Sequence, residues 1–422
     1  MDLPITFSSA RDSQKEGLVS ETALGGVTVL EYADFVAGPY CARLLADLGA
    51  EVIKVEAPAN GDQSRMRGPY SQDMPHRETS GLFLYLNANK LGVTLDLSTS
   101  SGQRIFKDLA SRADILIEDN PPKLLKELGL DYPQLQAINP RLVMTSITPF
   151  GQNGPYRDYK AYYLNSYHAS LVGYFTPEVL TEEELEREPL KVGGYLGEYG
   201  VGVSAALATL AALYYQYFNG EGQHIDISKQ EAILNFFGVD AARFANWQEH
   251  PCRMRQLKGL GGMVACRDGH ALVTFNEEHQ WQVLVKIMGN PEWALDQKYL
   301  QQACRAEDDE KIMEGLIQWS KQHDKDEIYH RGQIEGCPIG PVLSTQEIFH
   351  SAQAIARDYF MEIEHPSAGC QFYPVLPFKL SQTPSRVSRP APLLGQHNKE
   401  VYCQRLGYSP EELIRLTQAG II

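Results

Sequence analysis

The stretch Val27–Pro58, VTVLEYADFVAGPYCARLLADLGAEVIKVEAP, decides the fold. VTVLEYA (27–33) is a short apolar run rich in β-branched residues, the signature of a buried strand. The turn DFVAGPY leads into the helical pattern CARLLADLGA (41–50), and EVIKVEAP (51–58) supplies a second buried strand. A strand, a helix and a strand within about thirty residues form the mononucleotide-binding half of a doubly wound fold. The first loop has no GxGxxG fingerprint, which argues against a dinucleotide site.

The alternation continues outward. LGVTLDL (91–97) reads as a strand, GQRIFKDLASRA (102–113) as a helix, DILIED (114–119) and LVMTSITPF (142–150) as further strands. Repeated β and α units with right-handed crossovers predict a parallel sheet covered by helices. Ligands of such sheets lie beyond the carboxyl ends of the strands. That rule brings Asp34–Gly38, Asp119–Pro121 and Phe150–Gly154 to one rim. A strong helix spans 201–217, and NGEGQHIDIS (219–228) reads as hairpin-like. Composition changes near 226: GLGGMVACRDGHALVTF (259–275) reads as a glycine loop and an antiparallel hairpin with DG as its turn. The predicted organisation is an N-terminal arm (1–24), a large Rossmann-like domain (25–225), a small α+β domain (226–349) and a C-terminal return to the large domain (350–422). The last segment closes with a Ser-Pro-capped helix within 407–422.

At 422 residues, 43% hydrophobic and 22% charged, the chain has the composition of a two-domain soluble protein. The formal charge of −15 argues against nucleic acid, which demands a basic stripe. The apolar run at 201–217 is short for a membrane span and rich in small residues, so it reads as a core helix. Seven scattered cysteines without CxxC spacing suit free thiols in a reducing cytoplasm. The histidines occur singly, so no metal site is expected.

The stretch VGGYLGEYGV (192–201) carries a single acid, Glu198, among glycine, aliphatic and tyrosine residues just before that helix. Its glycines permit positive φ or close approach to a ligand. A lone carboxylate at a helix N-terminus, in low dielectric, suits covalent or acid–base work. It equally suits plain complementation of the helix dipole. The glycine loop Gly259, Gly261, Gly262 has the composition of a mobile lid over an active site. Tyr159, Tyr162, Tyr163 and Tyr167 are expected to pack between domains rather than line a pocket.

Taken together, VLEYADFVAGPYCARLLADLGAEVIKVEAP, NGD, LNANKLGVTLDL, LGLDYPQLQAINPRLVMTSITPFGQNGPYRD, CPIGPV and RPAPLLGQHNKEV resemble the class III CoA-transferases in order and spacing, from about residue 25 onward. The resemblance implies ring-like subunits threaded into an interlocked dimer. It implies no permanently bound cofactor, coenzyme A and acyl-CoA being substrates held at the strand-end rim. By position, Val36, Ala37, Leu95, Asp119, Asn120 and Pro121 fall on the CoA-binding segments, and Gly259, Gly261 and Gly262 on the loop over the site. The family's nucleophile is an aspartate after glycine, which attacks the acyl-CoA thioester to form a mixed anhydride. In Leu196-Gly197-Glu198 that position holds glutamate. The extra methylene displaces the carboxylate by about an ångström, an error that costs on the order of a hundredfold in rate. Asp119 stands where the family has asparagine, and Glu127 and Ser98 stand where it has basic residues for CoA. Heteromeric members, such as the succinyl-CoA:benzylsuccinate branch, pair a chain bearing the aspartate with one lacking it. This sequence resembles the latter and is expected to need a paralogous chain. A homodimer using Glu198, a non-catalytic scaffold and a racemase are the other expectations. Against the last, Tyr162 and Tyr163 replace the racemase's histidine and acid.

Overall fold

A computed structural model describes residues 22–177, 179–180, 187–249, 254–255 and 258–422. Most of the predicted N-terminal arm, part of the acidic insert and Cys252 lie outside the described residues. The chain divides into a larger unit, 1–174, 190–249 and 358–422, and a smaller one, 175–189 and 250–357.

The larger unit is built on a parallel sheet of β1 (Thr28–Tyr32), β2 (Glu51–Glu56), β3 (Lys90–Thr94), β4 (Ile115–Glu118), β5 (Val143–Thr148) and β7 (His224–Ser228), in the order β3-β2-β1-β4-β5-β7. The intervening β6 (Val179–Leu180) pairs with β8 (Met254–Arg255) in the smaller unit. Helices cover both faces, so the central strands are buried on both sides, as their near-continuous apolar runs require. One face packs Leu30, Ile53, Val93, Phe106, Leu116 and Met144. The other packs Val29, Cys41, Leu45, Ile117, Val201 and Ala205. This is the expected doubly wound α/β architecture.

Two readings change. The segment NGEGQHIDIS is no hairpin: Gly220, at φ +77°, ends the long helix, and 224–228 joins β5 in parallel as the sixth strand. That strand carries 226–249 into the larger unit, so the units part at 249 rather than 225. The long helix also begins earlier than predicted, spanning Leu196–Asn219. Its glycines serve packing. A Cβ on Gly200 would stand 2.3 Å from the Phe236 ring, and one on Gly202 would stand 2.9 Å from the Ala37 carbonyl oxygen in the Ala37–Asp47 helix. Of the glycines in 192–201, Gly194 alone takes positive φ.

The C-terminal return covers the free edge of β3. Gly92 N–H donates to His397 Nδ1 (3.0 Å), Thr94 N–H to Asn398 Oδ1 (2.9 Å), and Tyr402 O–H to the Thr94 carbonyl (2.8 Å). A covered edge cannot recruit a foreign strand. The Pro410–Gln418 helix is capped by Ser409, as the sequence predicts. Nearby, β12 (Phe360–His365) and β13 (Gly369–Pro374) form a hairpin in the same unit.

The smaller unit holds an antiparallel sheet, β11-β10-β9, of Ile339–Pro341, Gly269–Thr274 and Gly261–Cys266. The helices Glu278–Ile287, Asp309–Ser320 and Lys325–Glu335 close it around Phe275, Trp281, Leu284, Ile312 and Ile328.

Candidate active site

Strand order reverses between β1 and β4, the switch point at which sheets of this kind offer a ligand crevice beyond the carboxyl ends of the strands. Hydrogen bonds join its walls: Asp34 N–H donates to Asp119 Oδ1 (2.9 Å), and Asn120 Nδ2 donates to the Tyr32 carbonyl (3.0 Å). Phe35 sits at φ +70°, a costly conformation for an aromatic residue. It is held there by its N–H, shared between Asp34 Oδ1 (2.8 Å) and Asp62 Oδ1 (3.2 Å). Gly38 is required here, because a Cβ would lie 2.3 Å from the Ala33 Cβ and 3.2 Å from Asp119 Oδ2.

Beneath the crevice lies a buried charge network. Lys54 Nζ contacts Glu31 Oε1 (2.8 Å) and Asp62 Oδ2 (2.7 Å), while Lys90 Nζ contacts Glu31 Oε2 (2.7 Å). Burial and the neighbouring Asp62 charge push Asp34 up to about 7. Asp62, although buried, is held below the usual carboxylate range by Lys54. Burial raises Asp119 well above its ordinary value, against the nearby charge of Lys229.

Glu198 lies in the first turn of the Leu196–Asn219 helix, not before it, and its side chain is 1% exposed. The adjacent Gly197 N–H donates to the Tyr163 hydroxyl (3.1 Å), which satisfies one of the unpaired donors of the helix start. Lys229 opens the Lys229–Leu234 helix directly after β7. Its Nζ donates to both Glu198 oxygens, Oε2 at 2.9 Å and Oε1 at 3.2 Å. Burial alone would lower Lys229, but the charges of Glu198 and Asp119 hold it above the ordinary lysine value.

Asp119 and Asn120 stand half-buried at the crevice and Pro121 is exposed beside them. Val36, Ala37 and Leu95 are buried, main chain and side chain alike, and belong to the core clusters of the larger unit. The three glycines of the smaller unit have local reasons. Gly259, at φ +75°, donates its N–H to Asp309 Oδ1 (2.7 Å) and accepts from Arg305 Nε (3.2 Å). Gly261, at φ +90°, has the Val273 carbonyl where a Cβ would be, and Gly262 pairs with Val273 in the β9–β10 ladder. These anchors fix the backbone that its composition presents as a lid. Among the tyrosines, Tyr163 and Tyr167 are buried within the larger unit, whereas Tyr159 and Tyr162 are exposed.

Lys229 was not singled out by sequence. Its signal was a cation at the first position of a helix, where the dipole disfavours it unless an acid compensates. Among the described residues, no group of three or more histidine, cysteine or acidic side chains could hold a metal. The Leu196–Asn219 helix is long and apolar enough to cross a bilayer, yet its inner face packs on β5, β7 and the Ala37–Asp47 helix.

Residues 24–398 match the family model for CoA-transferase family III. A formyl-CoA:oxalate CoA-transferase of Streptomyces avermitilis is 34% identical over 95% of this chain and 99% of its own length. The corresponding protein of Bradyrhizobium diazoefficiens is 30% identical over 95% and 97%. Among solved structures, a CaiB/BaiF family protein from Brucella suis superposes with a TM-score of 0.80 at 26% identity, covering 91% of this chain and 99% of that one.

Proposed function

Because the chain belongs to CoA-transferase family III, we propose that it is a subunit of an enzyme moving CoA between an acyl-CoA and a carboxylic acid, and that its own carboxylate does not carry the acyl group. The observation that carries this reading is the burial of Glu198 to 1% at the family's nucleophile position. A nucleophile must present an oxygen to the thioester carbon at roughly 3–3.5 Å, and a carboxylate enclosed by protein presents none. The acyl group then passes through the aspartate of a paralogous chain. Family membership makes acyl-CoA and a carboxylate the substrates, with coenzyme A as no more than a carried group. Our donor is succinyl-CoA, with cytoplasmic acids as acceptors.

An exposed apolar row on the Leu196–Asn219 helix, Val203, Leu207, Tyr214 and Phe218, supports a partner chain. Co-expression with the paralogue tests the reading. Glu198→Ala should leave transfer from succinyl-CoA unchanged, and loss of turnover would refute the silent site. Running the assay in parallel with formyl-CoA and oxalate, the substrates named for the relatives, decides the donor.

A second reading has its own observation. Lys229 Nζ donates to both Glu198 oxygens, the pairing a carboxylate nucleophile could keep until attack. In that case the isolated chain, given acyl-CoA and hydroxylamine, forms a hydroxamate at Glu198.

A further inference from the structure

We infer that Lys229, rather than the additional methylene of Glu198, is what withholds the carboxylate at position 198 from acyl-CoA. The inference rests on the silent-site reading and names its cause. Lys229 Nζ lies within hydrogen-bond distance of both oxygens, 2.9 Å and 3.2 Å, so neither is left without the ammonium. The pair is enclosed, the Lys229 side chain 15% exposed and Glu198 1%. Attack on a thioester would require one oxygen to leave a charge-assisted bond in a site shielded from water, where such bonds are strongest.

The surroundings favour the cation where the helix disfavours it. Lys229 begins a helix, whose N-terminal partial charge repels an ammonium. Glu198, Asp119 and Asp34 all act on it in the opposite sense. Asp119 is itself fixed by the Asp34 N–H and backed by Gly38. Glu198 is the contact shown for the ammonium, and the charges of Asp119 and Asp34 add to its attraction at longer range, so shortening the acid at 198 leaves two further acids favouring the cation. A charged side chain close enough to follow the shorter carboxylate keeps that carboxylate paired.

The experiment uses the full chain and three variants, Glu198→Asp, Glu198→Asp with Lys229→Met, and Glu198→Asp with Lys229→Arg. Each is incubated with succinyl-CoA or formyl-CoA and hydroxylamine, and the peptide containing residue 198 is weighed for the hydroxamate. The methionine double variant should trap roughly tenfold or more above the single variant. The arginine double variant, which restores a cation, should fall back to the single variant's level. Thermal melting confirms that each variant is folded before trapping is scored. Equal trapping in Glu198→Asp alone would overturn the inference, because the methylene would then have been the barrier. A folded methionine double variant that traps nothing overturns it too. Trapping at Glu198 in the unaltered chain is a separate outcome and removes the silent-site reading instead.

Discussion

Glu118 offers a sharp test of how burial sets the chemistry of the crevice. It ends β4 at 3% exposure, accepts the Asn120 N–H (2.9 Å), and faces the Ser146 hydroxyl, which in turn meets His224 Nε2 at 2.8 Å. Burial pushes its carboxyl from 4.5 up to about 7. In the unfolded chain the acid gives up its proton near its ordinary value, while the folded chain keeps the proton until about 7. Between those two values the native state binds more protons, so stability falls as pH rises, and above them the full penalty of about 3 kcal/mol applies. Glutamine at 118 keeps an acceptor for Asn120 and a donor for Ser146 but carries no charge. Glu118→Gln should match the parent near pH 4.5 and exceed it by up to about 3 kcal/mol near pH 8. Urea unfolding followed across that range measures the difference. A gap that does not change with pH, or a variant weaker than the parent near pH 8, would show that Glu118 is ionised at no cost and refute the reasoning.

Lys54→Met leaves Asp62 without its cation and Glu31 with Lys90 only; breaking a buried pair in this way should lower stability by about 3–5 kcal/mol, read as a large fall in melting temperature. Gly202→Ala should cost roughly 1–3 kcal/mol despite alanine's better helix propensity, since its Cβ meets the Ala37 carbonyl; a neutral or stabilising result by calorimetry would mean that the two helices separate freely. Leu207→Glu, on the exposed face of the long helix, should leave the circular dichroism unchanged and shift sedimentation toward the monomer; an unchanged sedimentation coefficient places the partner surface elsewhere.

The parallel sheet was legible because its central strands are buried on both faces and therefore read as continuous apolar runs, bounded by turns and helical periods. β7 was misread because it is the edge strand. His224, Asp226 and Ser228 alternate with isoleucines, and the glycines before them look like a hairpin turn. The helix start at Leu196 was hidden by Gly197 and Gly200, glycines that serve neighbours remote in sequence: Tyr163, Ile233 and Phe236. Glu198 could be found because a family pattern marks its position. Lys229 could not, since its meaning comes from an acid thirty-one residues earlier that only the fold brings within 2.9 Å. Glu31, Lys54 and Lys90 look like ordinary charged punctuation in their strands, and nothing local announces that all three are fully buried and paired.

The segment that covers β3 has a consequence for how the protein is made. Thr94 meets Tyr402 and Asn398 across some three hundred residues, and Asp96 N–H meets the Ile421 carbonyl at 2.7 Å. The smaller unit is translated in between. From the time β7 (His224–Ser228) completes the sheet until the 397–402 segment follows, a nascent chain leaves β3 presenting unpaired backbone groups to every other chain nearby. Sealing waits for residues made some three hundred positions after the strand they cover. Yield in the cell should thus hinge on how long that edge waits, and on what holds it while it does.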